Sequence, residues 1–146
     1  MRREFSAGGV LVRRMRGSEY VAAIRPRGKP PDTWALPKGL VGAGERGPET
    51  AVRETYEETG IEARVERKLG DTRYVYMWEG ERVFKVVSFF LLRPLRGRIG
   101  ELPPEMELEV AEARWLPLDE AENLLAYRGE REMAQRARAI LRGEAL

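Results

Sequence analysis

The feature that most constrains this chain is a glycine-rich stretch that leads into a short acidic helix, over residues 39–61. The predicted helix carries three glutamates close together, Glu54, Glu57 and Glu58. Side chains three and four positions apart share one face of a helix, so these carboxylates project together. Their mutual repulsion weakens the helix unless a cation compensates it, which makes this segment the first candidate for chemistry. Because most charged helical faces are simply solvated, the charge pattern alone leaves that alternative open.

The opposite face of the same helix is suited to packing on a sheet. A helical wheel places four side chains there, Val52, Thr55, Tyr56 and Thr59. Arg53 lies beside the acidic face, where its guanidinium could orient or partly neutralise a carboxylate. Glu45 lies in the loop before the helix and could fold back toward the same site. The segment thus combines acidic, orienting and packing groups.

The chain contains no cysteine and no histidine. This excludes disulfides, thiol nucleophiles, zinc fingers and every mechanism that depends on histidine. Any bound metal must then be held by oxygen ligands, which favours hard cations such as Mg²⁺ or Mn²⁺. Any general base must be a carboxylate, a tyrosine, a lysine or water.

The 146 residues are 42% hydrophobic and 34% charged, which fits a single soluble globular domain spanning residues 1–146. No apolar run approaches the roughly 20 residues that span a bilayer, and the start lacks a signal-peptide core, so we expect a cytoplasmic protein without a membrane partner. The net charge of +2 argues against a nucleic-acid partner, and monomer and homodimer both stay open. The many arginines and glutamates, with one Asn and one Gln, predict a thermophilic source, although a GC-rich genome gives the same arginine bias.

Hydrophobic patterning predicts strands that are mostly joined as hairpins, with three scattered helices. The predicted strands are residues 4–14, 19–26, 34–36, 61–72, 73–79, 82–92 and 112–116, and the predicted helices are 48–59, 118–125 and 130–141. The strand at 82–92 is the strongest and is expected to be central. Pro48 suits the first turn of its helix and Gly60 its C-cap. Without regular βαβ alternation, this order favours an α+β fold or a mixed sheet between helices.

Residues 39–61 resemble the Nudix box of the Nudix hydrolases, whose pattern is Gly, five residues, Glu, seven residues, then Arg-Glu-aliphatic-x-Glu-Glu-x-Gly-aliphatic. Eight positions of this chain fall on that pattern, Gly39, Glu45, Arg53, Glu54, Glu57, Glu58, Gly60 and Ile61. Thr55 stands where an aliphatic residue is usual; because it faces the packing side, we expect a small packing change and no loss of chemistry. The resemblance gives Glu45 and Gly60 supporting roles, with Glu45 stabilising the loop or joining the outer shell of the site.

The resemblance implies an α/β fold in which a mixed sheet lies between helices, an α/β/α sandwich with the box as a loop-helix-loop. It also implies Mg²⁺- or Mn²⁺-dependent hydrolysis of a nucleoside diphosphate linked to another moiety. Glu57 and Glu58 are then expected as metal ligands, and Gly39 as a backbone-carbonyl ligand. Glu54 is expected as a further ligand or as the general base, and Arg53 as an orienting residue. Carboxylates clustered in this way hold cations that bridge phosphate oxygens and acidify a bound water.

Segments outside the box resemble the diadenosine tetraphosphate hydrolase branch of this family. They are residues 5–10, 34–39, 74–76 and 80–85. We therefore expect cleavage of dinucleoside polyphosphates to mononucleotides, with diadenosine tetraphosphate as the first choice of small-molecule partner. Other Nudix specificities remain as alternatives, namely ADP-ribose, a nucleotide sugar, a diphosphoinositol polyphosphate or an RNA 5′ end. A nucleotide sensor without catalysis is a further alternative, but such proteins usually lose box carboxylates and none is missing here.

Six residues are candidates for substrate contacts, Lys38, Lys85, Tyr74, Tyr76, Arg25 and Tyr127. Lys38 adjoins the box and is well placed to contact a phosphate. Lys85 alternates with apolar neighbours in a strong strand, which favours a charge that faces a cleft. Tyr74 and Tyr76 share one face of a strand, so we expect both or neither to line a cleft that stacks on a base. Partly buried sheet aromatics are the alternative for the tyrosines.

Two loop regions add weaker candidates. Arg25, Arg27 and Lys29 could form a basic rim, although a plain surface role is as consistent with so arginine-rich a chain. Four acids could supply one more carboxylate from beyond the box, Glu105, Glu107, Glu109 and Glu112. We favour Glu109 as a further metal ligand, because it precedes the last strand by a few residues, and expect the others to be solvated. Three apolar residues of this region are predicted to lie in the core, Leu108, Val110 and Trp115.

Overall fold

The computed structural model describes residues 1–144. Its six strands are β1 (Arg2–Met15), β2 (Ser18–Pro26), β3 (Lys38–Leu40), β4 (Ile61–Trp78), β5 (Glu81–Gly97) and β6 (Val110–Pro117). Its α-helices are α1 (Gly47–Thr59), α2 (Leu118–Leu124) and α3 (Arg128–Leu141), and a short 3-10 helix covers Pro104–Leu108. The strands form one sheet in the order β4-β5-β1-β2-β6, with β3 paired to β1. β1 and β5 run parallel and the other described pairs are antiparallel, so the sheet is mixed.

Alternation along the strands divides the core into two layers. On β1, Val10 and Val12 belong to a cluster that includes residues of α2 and α3, whereas Ala7 and Leu11 belong to the cluster that includes Ala51 of α1. Successive side chains of a strand point to opposite faces, so a sheet with helices on both sides needs apolar residues at consecutive positions. The fold is therefore an α/β/α sandwich, which confirms the predicted fold class.

Helix α1 has the termini that its sequence predicts. Pro48 lies in its first turn, where a missing N–H is tolerated, and the Glu49 side chain accepts a hydrogen bond of 3.0 Å from the backbone N–H of Arg46. Gly60 ends the helix in the left-handed conformation, with φ of 87°. No helix within residues 1–144 is long and apolar enough to cross a membrane.

A glycine of β1, Gly9, lies where α1 packs on the sheet. A Cβ atom at Gly9 would lie 2.6 Å from Thr55 Oγ1. Thr55 is buried on the packing side of α1, as predicted, and its hydroxyl has no hydrogen-bond partner among residues 1–144. Gly9 thus brings β1 within contact distance of the helix that carries the acidic face.

Several predicted elements differ from those observed. The expected strand at 34–36 is absent from the described structure; Trp34 and Ala35 form isolated bridges, and the short strand is Lys38–Leu40. The two strands expected over 61–79 are one long strand, β4, whose register shifts at three irregular points. Bulges explain this difference, since they interrupt the alternation of side chains without ending the strand. The 82–92 strand lies inside the sheet as expected, since β5 pairs with β4 on one side and with β1 on the other.

Two residues predicted to be buried are exposed. Leu108 is 83% exposed at the end of the 3-10 helix, whereas Val110 is buried and Trp115 packs against the α1 side of the core, as expected. Tyr56, placed by the helical wheel on the packing face of α1, is 40% exposed. The residue lies at the border of that face, and the buried positions of α1 carry smaller side chains, Thr50, Ala51, Thr55, Glu58 and Thr59.

Candidate active site

Helix α1 presents its three box glutamates in three different environments. Glu58 is buried, the Glu54 side chain is 13% exposed, and the Glu57 side chain is 31% exposed. α1 contacts β1, β4 and β3, and Glu58 is the glutamate that accepts a hydrogen bond from the backbone of β3. Chemically equivalent carboxylates therefore differ in their access to water.

Arg53 joins the loop to the acidic face. Its Nε donates to Glu45 Oε2 at 2.6 Å, and its Nη1 donates to Glu54 Oε1 at 2.9 Å and to Glu57 Oε2 at 3.1 Å. A planar guanidinium holds several carboxylates in fixed directions, which an ammonium cannot do. The charge that lies beside the acidic face is thus already used to hold two of its carboxylates and the preceding loop.

Glu45 folds back from the loop and anchors it. Its carboxylate accepts hydrogen bonds from Gly42 N at 2.9 Å and from Thr50 Oγ1 at 2.8 Å, besides those from Arg53. Bonding from Arg53, followed by the bonds from Gly42 and Thr50, lowers the pKa of Glu45 to about 2. The same pairing with Glu45 raises the pKa of Arg53. Glu45 is therefore held as an anion whose oxygens are already occupied.

β3 brings the first glycine of the box against the acidic face. A Cβ atom at Gly39 would lie 2.2 Å from the Glu54 carboxylate, so a larger residue has no room. One residue earlier, the backbone N–H of Lys38 donates to Glu58 Oε1 at 3.2 Å. The backbone of β3 thus lies in direct contact with two of the three glutamates.

Burial and mutual repulsion change the proton affinity of these two carboxylates. Burial, followed by repulsion from Glu54, raises the pKa of Glu58 to about 8. Burial, followed by repulsion from Glu57, raises the pKa of Glu54. A nearby positive charge would stabilise the charged forms of both carboxylates, because burial deprives them of solvation by water.

The donor set fits a hard divalent cation. Within residues 1–144 no three His, Cys, Asp or Glu side chains are arranged so as to hold a metal ion by themselves. The groups at the site are nevertheless all oxygens: the carboxylates of Glu54, Glu57 and Glu58 and the backbone at Gly39. Carboxylate and carbonyl oxygens are the ligands that Mg²⁺ and Mn²⁺ prefer, and a nearby cation would offset the burial and repulsion that raise the pKa values of Glu54 and Glu58.

A cleft of about 850 Å³ opens beside this face, with Gly39 and Glu58 in its wall. Its remaining wall comes from β2, the segment between β2 and β3, β4, β5 and the start of α3. Its basic residues are Lys29, Lys38, Arg73, Lys85 and Arg128, and its acidic residues are Glu58, Asp71, Glu130 and Glu132. Two tyrosines, Tyr74 and Tyr127, also line it, and the cleft therefore offers positive charge and aromatic surface next to the acidic face.

Lys38 lies at the boundary between the cleft and the acidic face, but its ammonium is already engaged. It forms an ion pair of 2.7 Å with Glu130 Oε2, donates to the Leu36 carbonyl at 3.3 Å, and lies 5.5 Å from the Tyr127 ring centre. Burial is the largest single effect and opposes the charge, but the attraction and hydrogen bond of Glu130, together with the attraction of Glu58, raise the pKa of Lys38. An ammonium has three donors, so one N–H of Lys38 remains for a ligand.

The other substrate candidates separate into two groups. Lys85, Tyr74 and Tyr127 line the cleft, and burial lowers the pKa of Lys85. Tyr76 does not line it, although its ring centre lies 6.2 Å from that of Tyr74, because its hydroxyl turns to the Glu4 carboxylate. This corrects the expectation that both tyrosines or neither would line the cleft.

The basic rim expected at residues 25–29 is only partly present. Arg25 lies outside the cleft wall, where its Nε donates to Glu112 at 2.8 Å and its guanidinium lies 5.9 Å from the Trp34 ring centre. Arg27 bonds the Glu107 carbonyl, whereas Lys29 lines the cleft. The arginine side chains are drawn to β6 and its preceding loop, contacts that are remote in sequence.

Among the loop acids, Glu109 is the one whose charge reaches the site. It adds a smaller repulsion to both Glu54 and Glu58, and it is solvent-exposed just before β6. Glu112 is instead paired with Arg25 and with Arg114, at 2.8 Å and 2.6 Å. The structure therefore brings Glu109 near the face without bringing it into the cleft wall.

Glu130 is the site residue that sequence reasoning missed. It lies in the first turn of α3, is 4% exposed, and contacts the segment just before β3. Its sequence context, a glutamate at the start of an amphipathic helix, is typical of an ordinary exposed residue. Nothing local distinguishes it from the other glutamates of the chain.

Most of the chain is similar to known proteins. A family model for the NUDIX domain matches residues 3–137. The putative mutator protein MutT4 of Mycobacterium tuberculosis is 36% identical over 144 residues, which cover 94% of this chain and 56% of that protein. The 8-oxo-(d)GTP phosphatase of Mycolicibacterium smegmatis is 33% identical over 118 residues, which cover 81% of this chain and 33% of that protein. The chain thus spans about half of one relative and a third of the other.

A solved structure shares the fold over nearly its full length. The binary complex of a C. elegans Ap4A hydrolase superposes with a TM-score of 0.71 and 25% sequence identity, covering 96% of this chain and 98% of that one. The match of the family model over most of the chain agrees with the loop-helix-loop geometry at Gly39, Glu45 and Arg53. The chain therefore belongs to the Nudix family.

Proposed function

We propose that this protein is a metal-dependent pyrophosphohydrolase that cleaves dinucleoside polyphosphates, diadenosine tetraphosphate first among them, to mononucleotides. The observation that carries the proposal is the buried Glu58 carboxylate, with a pKa raised to about 8, beside Gly39 in the wall of a cleft that Lys29, Lys85 and other basic residues also line. A polyphosphate chain is a strong anion, and the basic residues of the cleft offer it compensating charge next to the acidic face.

Each residue of the acidic face has a separate role in the proposed hydrolysis. Glu57, Glu58 and the Gly39 carbonyl would hold a divalent cation, Mg²⁺ or Mn²⁺, and Glu54 would join them or accept the proton of the attacking water. When bound, such a cation neutralises charge on phosphate oxygens and lowers the pKa of water. Arg53 keeps Glu54 and Glu57 in fixed directions through bonds of 2.9 and 3.1 Å.

The cleft supports a substrate with a base at the far end of a phosphate chain. Tyr74 and Tyr127 offer aromatic faces for a purine, and Lys38 and Lys85 offer charge for the phosphates between. The sequence segments shared with diadenosine tetraphosphate hydrolases favour the same substrate, as does the likeness to the C. elegans Ap4A hydrolase. Each of these supports the substrate class from a different direction.

A second candidate function is hydrolysis of an oxidised purine nucleoside triphosphate. The likeness to the M. smegmatis 8-oxo-(d)GTP phosphatase favours it. The two functions share the metal-assisted step and differ in what the cleft must hold beyond the phosphates. Substrate preference therefore discriminates between them, whereas replacement of the box glutamates does not.

Initial rates with Mg²⁺ on a panel of nucleotides test the proposal. The panel comprises diadenosine tetraphosphate, 8-oxo-dGTP, ADP-ribose, a nucleotide sugar and a diphosphoinositol polyphosphate. We expect the highest kcat/KM for diadenosine tetraphosphate, with ATP among the products and oxygen from labelled water on a phosphate. Faster turnover of 8-oxo-dGTP or ADP-ribose would overturn the substrate assignment. Binding of nucleotides with no turnover of any would instead favour a sensor.

A further inference from the structure

We propose that Glu130 is a positioning residue of the active site, which holds residues 36–38 so that Lys38 faces the cleft and its backbone N–H reaches Glu58. Its effect on catalysis rests on the function proposed above, whereas its effect on the structure of this segment does not. The inference starts from the burial of a charged side chain that none of the proposed chemical steps employs.

The Glu130 carboxylate is 4% exposed and has two partners in one short segment. Its Oε1 accepts the backbone N–H of Leu36 at 2.7 Å, and its Oε2 forms the ion pair with Lys38 Nζ at 2.7 Å. A buried carboxylate is costly unless it is paired and hydrogen-bonded, and here both oxygens have partners. The two contacts lie on either side of Pro37, which has no N–H to donate.

Residues 36–38 are consequently held from both helical layers. Glu130 of α3 takes the N–H of Leu36, and Glu58 of α1 takes the N–H of Lys38, at 3.2 Å. Between them, the Pro37 carbonyl accepts the N–H of Gly9 on β1 at 3.0 Å. Each of the polar backbone groups named here is bound to a different element, so a shift at any one of them displaces the others.

The second contact of Glu130 controls where the Lys38 charge lies. Lys38 has a flexible stem, and an ammonium by itself selects no fixed direction. The ion pair with Glu130, the bond to the Leu36 carbonyl and the approach to the Tyr127 ring together fix it at the cleft wall. Glu130 and Tyr127 lie at the start of α3, so the packing of this helix on the sheet sets the position of the Lys38 ammonium in the cleft.

Amide hydrogen exchange followed by NMR tests the structural part without any substrate or metal. We expect the Leu36 amide to exchange at least about tenfold faster in Glu130→Ala, because its acceptor is lost. In Glu130→Gln the amide oxygen can still accept, so Leu36 should keep most of its protection. Glu122→Gln is the matched control, since Glu122 links α2 to Arg138 of α3 at 2.8 Å and lies away from the cleft. Unchanged Leu36 exchange in Glu130→Ala would overturn the proposal.

A double-mutant cycle tests the catalytic part. We expect Glu130→Gln to lower kcat/KM by about tenfold in the wild-type background and by less than about twofold in a Lys38→Met background. A residue that merely stabilised the fold would cost the same factor in both backgrounds, and that result would refute the positioning role. If the wild-type protein turned over no nucleotide of the panel, the proposed function would fail, while the exchange experiment would still decide the structural part.

Discussion

Glu45 and Glu58 are separated by 13 positions of one loop-helix segment, yet their carboxylates behave in opposite ways. Glu45 is bound by Arg53, Gly42 and Thr50, and its pKa falls to about 2. Glu58 is buried beside Glu54, and its pKa rises to about 8. At the scale of the residue, the environment decides which glutamate is a permanent anion that anchors a loop and which one is poised to receive a cation.

Replacement of Glu58 separates its catalytic role from its structural one. We expect Glu58→Gln to lower kcat roughly a hundredfold or more with Mg²⁺ present, because a cation loses a charged ligand, while the fold stays intact. Steady-state kinetics and circular dichroism on the same samples check both parts. Glu49→Gln is the matched control, since Glu49 is an exposed glutamate of the same helix and the amide retains an acceptor for Arg46. Full activity in Glu58→Gln would rule out the metal role.

The raised pKa of Glu58 also has a consequence for stability in the absence of metal. A carboxyl whose folded-state pKa is about 8, against an ordinary 4.5, favours folding while it is protonated and opposes it once it is charged. With a chelator present, wild-type stability should therefore fall as the pH rises from 4.5 to 8. Because Glu58→Gln stays neutral, the difference between its melting temperature and that of the wild type should increase in favour of the variant as the pH rises through that window. A constant difference would contradict the burial of a charged Glu58.

At the scale of the element, α1 is defined by how it ends. Gly60 has φ of 87°, and a Cβ atom there would lie 2.5 Å from the Glu101 carbonyl oxygen and 2.8 Å from that of Arg98. The pattern of the sequence predicts the C-cap correctly, because glycine is the residue that adopts this conformation without strain. It does not predict the second reason for glycine, which is the packing of a distant loop against the helix end.

These two reasons can be separated by comparing Gly60 with Gly17. Gly17 has a similar φ of 81° but nothing within 4 Å of a Cβ atom. We expect Gly17→Ala to lower the free energy of unfolding by about 1–2 kcal/mol from backbone strain alone. Gly60→Ala should cost about 1–3 kcal/mol more, because backbone atoms must move. Urea denaturation of both variants measures the difference. An equal decrease in the free energy of unfolding would show that the loop containing Arg98 and Glu101 moves aside without destabilising the fold.

At the scale of the whole molecule, the cleft is a product of the sandwich. β2, β4, β5 and α3 meet around it, and α1 supplies its acidic side through Glu58. The parallel pairing of β1 with β5 places Lys85 in the sheet beside the strand that also pairs with β3. A polyanion in this cleft would therefore meet charges drawn from remote parts of the chain.

Lys85 provides a test of the cleft that does not involve the metal ligands. We expect Lys85→Met to raise KM for diadenosine tetraphosphate about tenfold with kcat within about twofold, because it removes a charge that contacts phosphates in both ground and transition states. Lys68→Met is the control, since Lys68 lies on β4 outside the cleft wall and is half exposed. An unchanged KM in Lys85→Met would place the phosphates elsewhere.

The sequence by itself determined those features that depend on spacing along the chain. The period of a helix puts Glu54, Glu57 and Glu58 on one face, and the alternation of a strand puts Lys85 on the face opposite to that of its neighbours in sequence. These predictions need no knowledge of what lies opposite. The length of β4 and the exposure of Leu108 could not be predicted in this way, because bulges and a 3-10 helix change the period locally.

Contacts between distant parts of the chain set which carboxylates are buried and which groups hold them. The bond between Glu130 and Leu36 joins residues 94 positions apart, and that between Arg25 and Glu112 joins residues 87 positions apart. Tyr74 and Tyr76 have equivalent local patterns, but a contact with Glu4 turns one of them away from the cleft. Local propensity contains no information about such partners, because they are set by the path of the chain through the sheet. The acidic helix could therefore be predicted from the sequence, whereas the cleft beside it could not.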